Sequence, residues 1–153
     1  MTIPLLTEAR WDDDEGVALR LAQRAELDAR YGRDDHEPGT PPSAENISLF
    51  LVARDPATGT AIGCGALRAL GEERAEIKRM YVVPEARGTG VSVAILQALE
   101  DAARERGWRH LVLETGTEQP DAIRFYEREG YERIPNFGAY AGSDISVCYA
   151  RSL

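Results

Sequence analysis

The stretch A-E-I-K-R-M-Y-V-V-P-E-A-R-G-T-G-V-S-V-A-I-L, Ala75 to Leu96, decides the reading of this chain. It begins with strand texture, passes Pro84 and a loop holding Arg87, Gly88 and Gly90, and continues as Val91, Ala94, Ile95, Ala98, Leu99 and Ala102 at helical spacing. A strand that empties through glycines into a helix presents unbonded amides at the positive end of the helix dipole, which makes an anion site. The two glycines let main chain approach a phosphate closely, and Arg87 adds a permanent cation. A seat for a pyrophosphate is consistent with that pattern. A P-loop does not fit, because no Gly-Lys-Ser/Thr follows, and a dinucleotide fingerprint would need a third glycine where Val93 stands. A glycine loop that merely caps a helix is the plainer alternative.

Working outward, Ile47 to Arg54, Thr60 to Leu70 and Arg74 to Val83 read as strands, separated by the turn residues D-P-A-T-G and G-E-E, and they predict an antiparallel meander. Upstream lie a strand at Ile3 to Thr7 and a helix from about residue 13 to 31, ended by Gly32. Residues 32–45 are polar and proline-rich, a loop in which His36 is expected at the solvent. Downstream come a strand from His110 to Glu114, a helix opened by Gln119-Pro120-Asp121 and closed by Gly130, and strands at Tyr131 to Ile134 and Asp144 to Arg151. Glu100, Asp101, Arg104 and Glu105 fall on the polar face of the helix after Gly90. The order β-α-β-β-β-α-β-α-β-β predicts an α/β fold (an α+β mixed sheet), mostly antiparallel, of about seven strands flanked by helices, in one domain spanning residues 1–153.

Composition narrows the function. The 153 residues are 43% hydrophobic and 29% charged, an ordinary globular balance that excludes a disordered or fibrous chain. A net charge of −8 argues against nucleic acid as partner and weakly favours a cationic amine over an acidic one. No apolar run is long enough for a bilayer, and no signal-peptide core is present, so no membrane partner is expected. Cys64 and Cys148 lack CxxC spacing and read as reduced, inert thiols of a cytoplasmic protein. The two His stand apart from Cys or helical carboxylates, and no metal is expected.

Two motifs together resemble the GNAT superfamily of acetyl-CoA-dependent N-acetyltransferases, over residues 74 to 151. Val82-Val83-Pro84 followed by Arg87-Gly88-Thr89-Gly90-Val91-Ser92 is similar to that family's Q/R-x-x-G-x-G/A signature, with Ser92 in place of the second small residue. Gln119-Pro120-Asp121-Ala122-Ile123-Arg124-Phe125-Tyr126, running on to Gly130-Tyr131, is similar to its N-x-x-A-x-x-x-Y-x-x-x-G-F/Y helix, with Gln119 for Asn.

The resemblance implies acetyl-CoA as cosubstrate. Main chain of Met80, Tyr81 and Val82 would bind the pantetheine arm, and amides of Gly88, Thr89, Gly90, Val91 and Ser92, beside Arg87, the pyrophosphate. Gln119 would contact the cofactor arm, and the thioester would lie where the strands ending at Val83 and Glu114 splay apart. It implies direct attack by a primary amine, on a small molecule or a peptide, with Tyr126 as general acid; a core tyrosine is the plainer alternative. For the base, Glu76 takes the place some members use. Alternation along the strand puts Glu76, Lys78, Met80 and Val82 on one face. A strand carboxylate paired with Lys78 or Arg74 is its plainer reading, and Glu114 is its rival. Phe137 and Tyr140 could wall the acceptor pocket. Dimers are common in the family, so a homodimer is allowed, and a catalytically silent acyl-CoA-binding module is the competing class.

Overall fold

A computed structural model describes residues 3–34 and 36–153. Ten regular elements follow one another: β1 (Leu5–Glu8), α1 (Asp14–Tyr31), β2 (Leu49–Arg54), β3 (Ala61–Ala69), β4 (Arg74–Val82), α2 (Val91–Glu105), β5 (His110–Gly116), α3 (Pro120–Arg128), β6 (Glu132–Ile134) and β7 (Ser146–Ser152). Single 3-10 turns stand at Pro84–Ala86 and Gly138–Tyr140. The seven strands form one sheet in the order β1-β2-β3-β4-β5-β7-β6. Every pairing is antiparallel except β4 with β5. The predicted element order and meander are therefore observed.

Local chemistry sets the helix ends. Asp13 caps α1 by accepting from the Gly16 amide at 3.2 Å, and Gly32 closes it at φ 71°. Proline at the first position opens α3, as its sequence predicts.

Packing follows from the apolar stripes. Ile95, Leu96, Leu99 and Ala103 of α2 are buried against one face of the sheet, together with Leu111, Leu113 and Tyr126. Each buried leucine or isoleucine among them contributes roughly 1.5–3 kcal/mol. The helix lies close because β3 carries no side chain beneath it at Gly65. A Cβ there would stand 2.9 Å from Ile95 and Met80 and 3.0 Å from Leu99. On the opposite face α1 packs Leu19 onto Phe50, Val52, Cys64 and Ala66.

Three expectations need correction. Glu100 is not on the solvent face: it is 4% exposed, accepting from Tyr131 at 2.9 Å and from Arg151 at 2.8 Å, so its charge is paired where it is desolvated. His36 is not solvent-exposed either; its side chain is 8% exposed, lies 2.6 Å from Asp28 and stacks on Tyr31.

The third concerns β4. Ala66 pairs with Lys78 but Cys64 pairs with Tyr81, so one extra residue is bulged into β4, and Arg79 sits in the left-handed region at φ 57°. The bulge reverses alternation. Ala75, Ile77, Met80 and Val82 share the α2 face, while Tyr81 packs with the α1-side cluster. Glu76 and Lys78 are thus on the side opposite Met80 and Val82.

Where β4 leaves β5 matters most. Their register runs only from Arg74↔His110 to Ile77↔Leu113. Beyond it the two strands separate, leaving a gap in the middle of the sheet bordered by Lys78–Val82 and Glu114–Gly116.

Candidate active site

The gap opens into a cleft of ≈ 430 Å³ walled by α1, the end of β4, the loop before α2, and α3. At its floor the loop turns tightly. Gly88 (φ 76°) and Gly90 (φ 93°) both hold left-handed backbone that a side chain would strain. Gly90 caps α2 with no side-chain acceptor, and the helix ladder begins only with the Ala94 amide bonding the Gly90 carbonyl. Among the described residues no acceptor takes the amides of residues 88–93. They stand together at the positive end of α2, and Gly88 and Ser92 line the cleft. This cradle fits a diphosphate.

Arg87 is placed differently from its simplest expectation. Its guanidinium forms a two-point pair with Glu26 of α1, at 2.9 and 2.7 Å, while its Nε donates to the Val82 carbonyl at 3.0 Å. It ties α1 to the cleft wall, with the Glu26 carboxyl held below its usual range by that contact.

Main chain of β4 is divided between two sides. The Val83 amide bonds Ile62 of β3, so alternation turns Tyr81 toward Cys64 of β3 and leaves Val82 facing the gap. Tyr81 reaches the cleft with its side chain instead. Gln23 of α1 donates to the Met80 carbonyl at 2.9 Å. With Arg87 on the Val82 carbonyl, both carbonyls already hold internal donors.

On the α2 side of the gap stands Tyr126. It is 7% exposed, wedged edge-on between Phe125 and Tyr131, and borders the cleft. Ala122 and Ile123 pack with it on the core, as the helix spacing predicts. Burial pushes its phenol above the ordinary value, so it holds its proton at neutral pH. Gln119 also borders the cleft and donates to the Tyr31 hydroxyl at 3.4 Å.

On the other face the sequence hid a network. Glu76, 2% exposed, accepts from Arg68 at 3.0 Å and Tyr140 at 2.7 Å, with the Lys78 ammonium at 3.6 Å. Both its oxygens are occupied. Lys78 donates to the Tyr140 hydroxyl at 2.9 Å and lies 3.5 Å from Glu37, which in turn pairs with Arg79 at 2.6 Å. Burial would raise the Glu37 carboxyl, but the charges of Lys78 and Arg79 outweigh it and hold it below its usual range.

Glu114 has the opposite balance. Among the described residues it accepts one hydrogen bond, from Ser146 at 2.7 Å. Burial, helped by the neighbouring charges of Glu37 and Glu76, pushes its carboxyl up to about 7, against that hydrogen bond and Lys78. Nothing local in the sequence marks Glu26, Gln23, Glu37 or Ser146, since each meets its partner through the fold.

Comparison with known proteins agrees with this geometry. The family model for the acetyltransferase (GNAT) family matches residues 7–131. The chain belongs to that family. An IAA acetyltransferase of Azospirillum brasilense is 40% identical over 106 residues, 68% of this chain and 67% of the relative. Among solved structures, one from Klebsiella pneumoniae described as an acyl-CoA N-acyltransferase is 33% identical, with a TM-score of 0.84 over 99% of this chain and 98% of the other. A GNAT acetyltransferase from Elizabethkingia anophelis with acetyl-CoA bound shares the fold at a TM-score of 0.71 and 16% identity, covering 98% of each chain. This GNAT protein is thus an acetyltransferase enzyme, on a fold that binds acetyl-CoA. Among the described residues no cluster could hold a metal ion, and no helix is long and apolar enough to cross a membrane.

Proposed function

We propose that this single domain transfers an acetyl group from acetyl-CoA to a primary amine by direct attack within a ternary complex. The observation that carries the reading is the placement of Tyr126 and Glu114 on opposite faces of the sheet at the gap between β4 and β5, above a row of unbonded amides. Acetyl-CoA supplies a thioester carbonyl. The chain supplies the rest. Amides of residues 88–92 hold the pyrophosphate, while the gap-facing edge of Met80 and Val82 receives the pantetheine arm as Gln23 and Arg87 give up their carbonyls. Tyr126, protonated at neutral pH, donates to the departing sulfur.

An amine arrives as an ammonium and must lose a proton before it can attack. Glu114 is the group suited to take it, because its proton affinity lies near neutrality and one lone-pair edge is free. Glu76, bound by Arg68 and Tyr140, instead fixes the wall of the acceptor side. The nitrogen–carbon bond forms as the carbon–sulfur bond breaks; of the two protons nitrogen loses, the first goes to Glu114 before attack and the second, shed once nitrogen is bonded to carbon, restores the Tyr126 phenol, which has given its own proton to sulfur. The two buried free thiols, with Cys64 pushed up to about 12 by burial, are inert toward acyl transfer and support a reduced, cytoplasmic setting.

The test is thiol release from acetyl-CoA across a panel of primary amines. Tyr126→Phe is expected to lower kcat about 100-fold or more while calorimetry shows acetyl-CoA binding retained. An unchanged kcat, or no turnover with any amine despite tight cofactor binding, defeats the proposal.

A further inference from the structure

A second cavity, of ≈ 360 Å³, lies away from the cofactor cleft, where the loop around Pro38–Thr40 meets the end of β3, the start of β4 and the Phe137–Tyr140 turn. Of its lining, only Glu76 and its partners Arg68 and Tyr140 have a part in the acetyl-transfer site, as the acceptor-side wall. Its charges are unbalanced in an informative way. Arg68 is spent on Glu76 and on the Thr40 carbonyl at 3.0 Å. Glu76, the cavity's carboxylate, is spent on Arg68, Tyr140 and Lys78. Arg74 remains. Among the described residues it has no carboxylate partner, although acids outnumber bases in this chain by 26 to 18. Its guanidinium instead lies over the Phe137 ring, 5.8 Å from the centroid, and Phe137 meets Tyr140 edge-on at 5.2 Å. A guanidinium braced on an aromatic face keeps its N–H edge free for a two-point bond to a carboxylate.

Resting on the amine-acetylation reading, we infer that this cavity seats a carboxylate carried by the acceptor, so that the substrate is an amine and an acid at once. Arg74, Glu76 and Lys78 alternate onto the same face of β4 ahead of the bulge, and Tyr140 forms a wall of the cavity while bonding both Glu76 and Lys78. Lys78 in turn lies beside Glu37, so an acceptor seated on Arg74 points its ammonium end toward Glu37 and Glu114. Four residue steps along the strand carry Arg74 to Lys78, roughly 13 Å of rise, shortened by the reach of the arginine. An α-amino acid, with both groups on one carbon, is too short for that span. An ω-amino carboxylate or an amine of dipeptide length fits, and Phe137 favours an apolar or aromatic body.

The test uses matched acceptors, aminohexanoate against hexylamine and aminomethylbenzoate against benzylamine, with the full chain and with Arg74→Gln. The expected result is a preference of about tenfold or more in kcat/KM for the carboxylate member of each pair, lost in Arg74→Gln, with the plain amines unaffected by the substitution. Equal use of both members by the unmodified enzyme, or an equal loss for both in the variant, overturns the inference. Calorimetry of aminohexanoate binding to the CoA-loaded protein separates the two proposals. Binding that is lost in Arg74→Gln upholds the carboxylate seat even if no amine is turned over, and no binding to either protein rejects it.

Discussion

Two glutamates on neighbouring strands show how surroundings divide roles between identical side chains. Glu76 faces Arg68, Lys78 and Tyr140, whereas Glu114 accepts from Ser146 and faces two other carboxylates. Burial first, and those charges second, raise Glu114 from 4.5 to about 7. Its base form therefore predominates only above that pH, and acetyl transfer should rise with pH through about 7. Glu114→Gln is expected to flatten this limb and lower kcat/KM about 100-fold, measured as thiol release against pH. The same shift has a thermodynamic sign. Between the unfolded and folded values the native state binds the extra proton, so its contribution to stability is present at low pH and lost as pH rises through about 7. Glu114→Gln should therefore raise Tm relative to the unmodified protein near pH 8, the difference closing toward about pH 5. A Tm difference independent of pH would show that Glu114 titrates normally.

Elements were legible where the chain repeats itself, and illegible where one residue breaks the repeat. The 3.6-residue stripe of α2, proline at the start of α3 and the turn residues of the meander all specify their structures locally. The bulge in β4 has no such mark. Lys78-Arg79-Met80-Tyr81 reads as continuous strand, and only pairing with β3 forces Arg79 to φ 57°. From that point the alternation reverses, which is why Glu76 lies across the sheet from Met80. The cofactor loop was legible because glycines are required by its backbone. The acceptor side was not, because Glu37, Glu114, Tyr140 and Ser146 come from four separate segments. Deleting Arg79 should remove the bulge and restore unbroken alternation with Met80 and Val82 still facing α2, so cooperative thermal unfolding is expected to survive; its loss would show that the bulge itself is needed for the sheet. A gentler test is Gly65→Val beneath α2, where even a Cβ meets Ile95 and Met80 at 2.9 Å. Overpacking there should cost about 1–3 kcal/mol, read from urea denaturation. An unchanged midpoint would mean that α2 does not sit this close.

For the molecule as a whole, the net charge and the proposed cosubstrate have the same sign. A chain of −8 repels a polyanion at long range, and salt weakens that repulsion within a Debye length of about 8 Å. The cofactor cleft is locally different. Arg30, Arg87, Arg124 and Arg128 line it against Glu26 and Asp121, leaving an excess of cations around the amides at the start of α2. The two fields predict opposite salt effects on acetyl-CoA affinity. Repulsion from the whole surface would make binding tighten with salt, whereas contact with the arginine-lined cleft makes it weaken. Contact should win, because charges that meet in a partly desolvated cleft are screened less than those facing across bulk water. Calorimetric Kd values measured at increasing sodium chloride should therefore rise, and the paired substitutions Arg124→Gln and Arg128→Gln should flatten that slope while leaving Tm within a few degrees. Binding that tightens with salt would place the polyanion outside the arginine-lined cleft and remove the diphosphate from the mouth of α2.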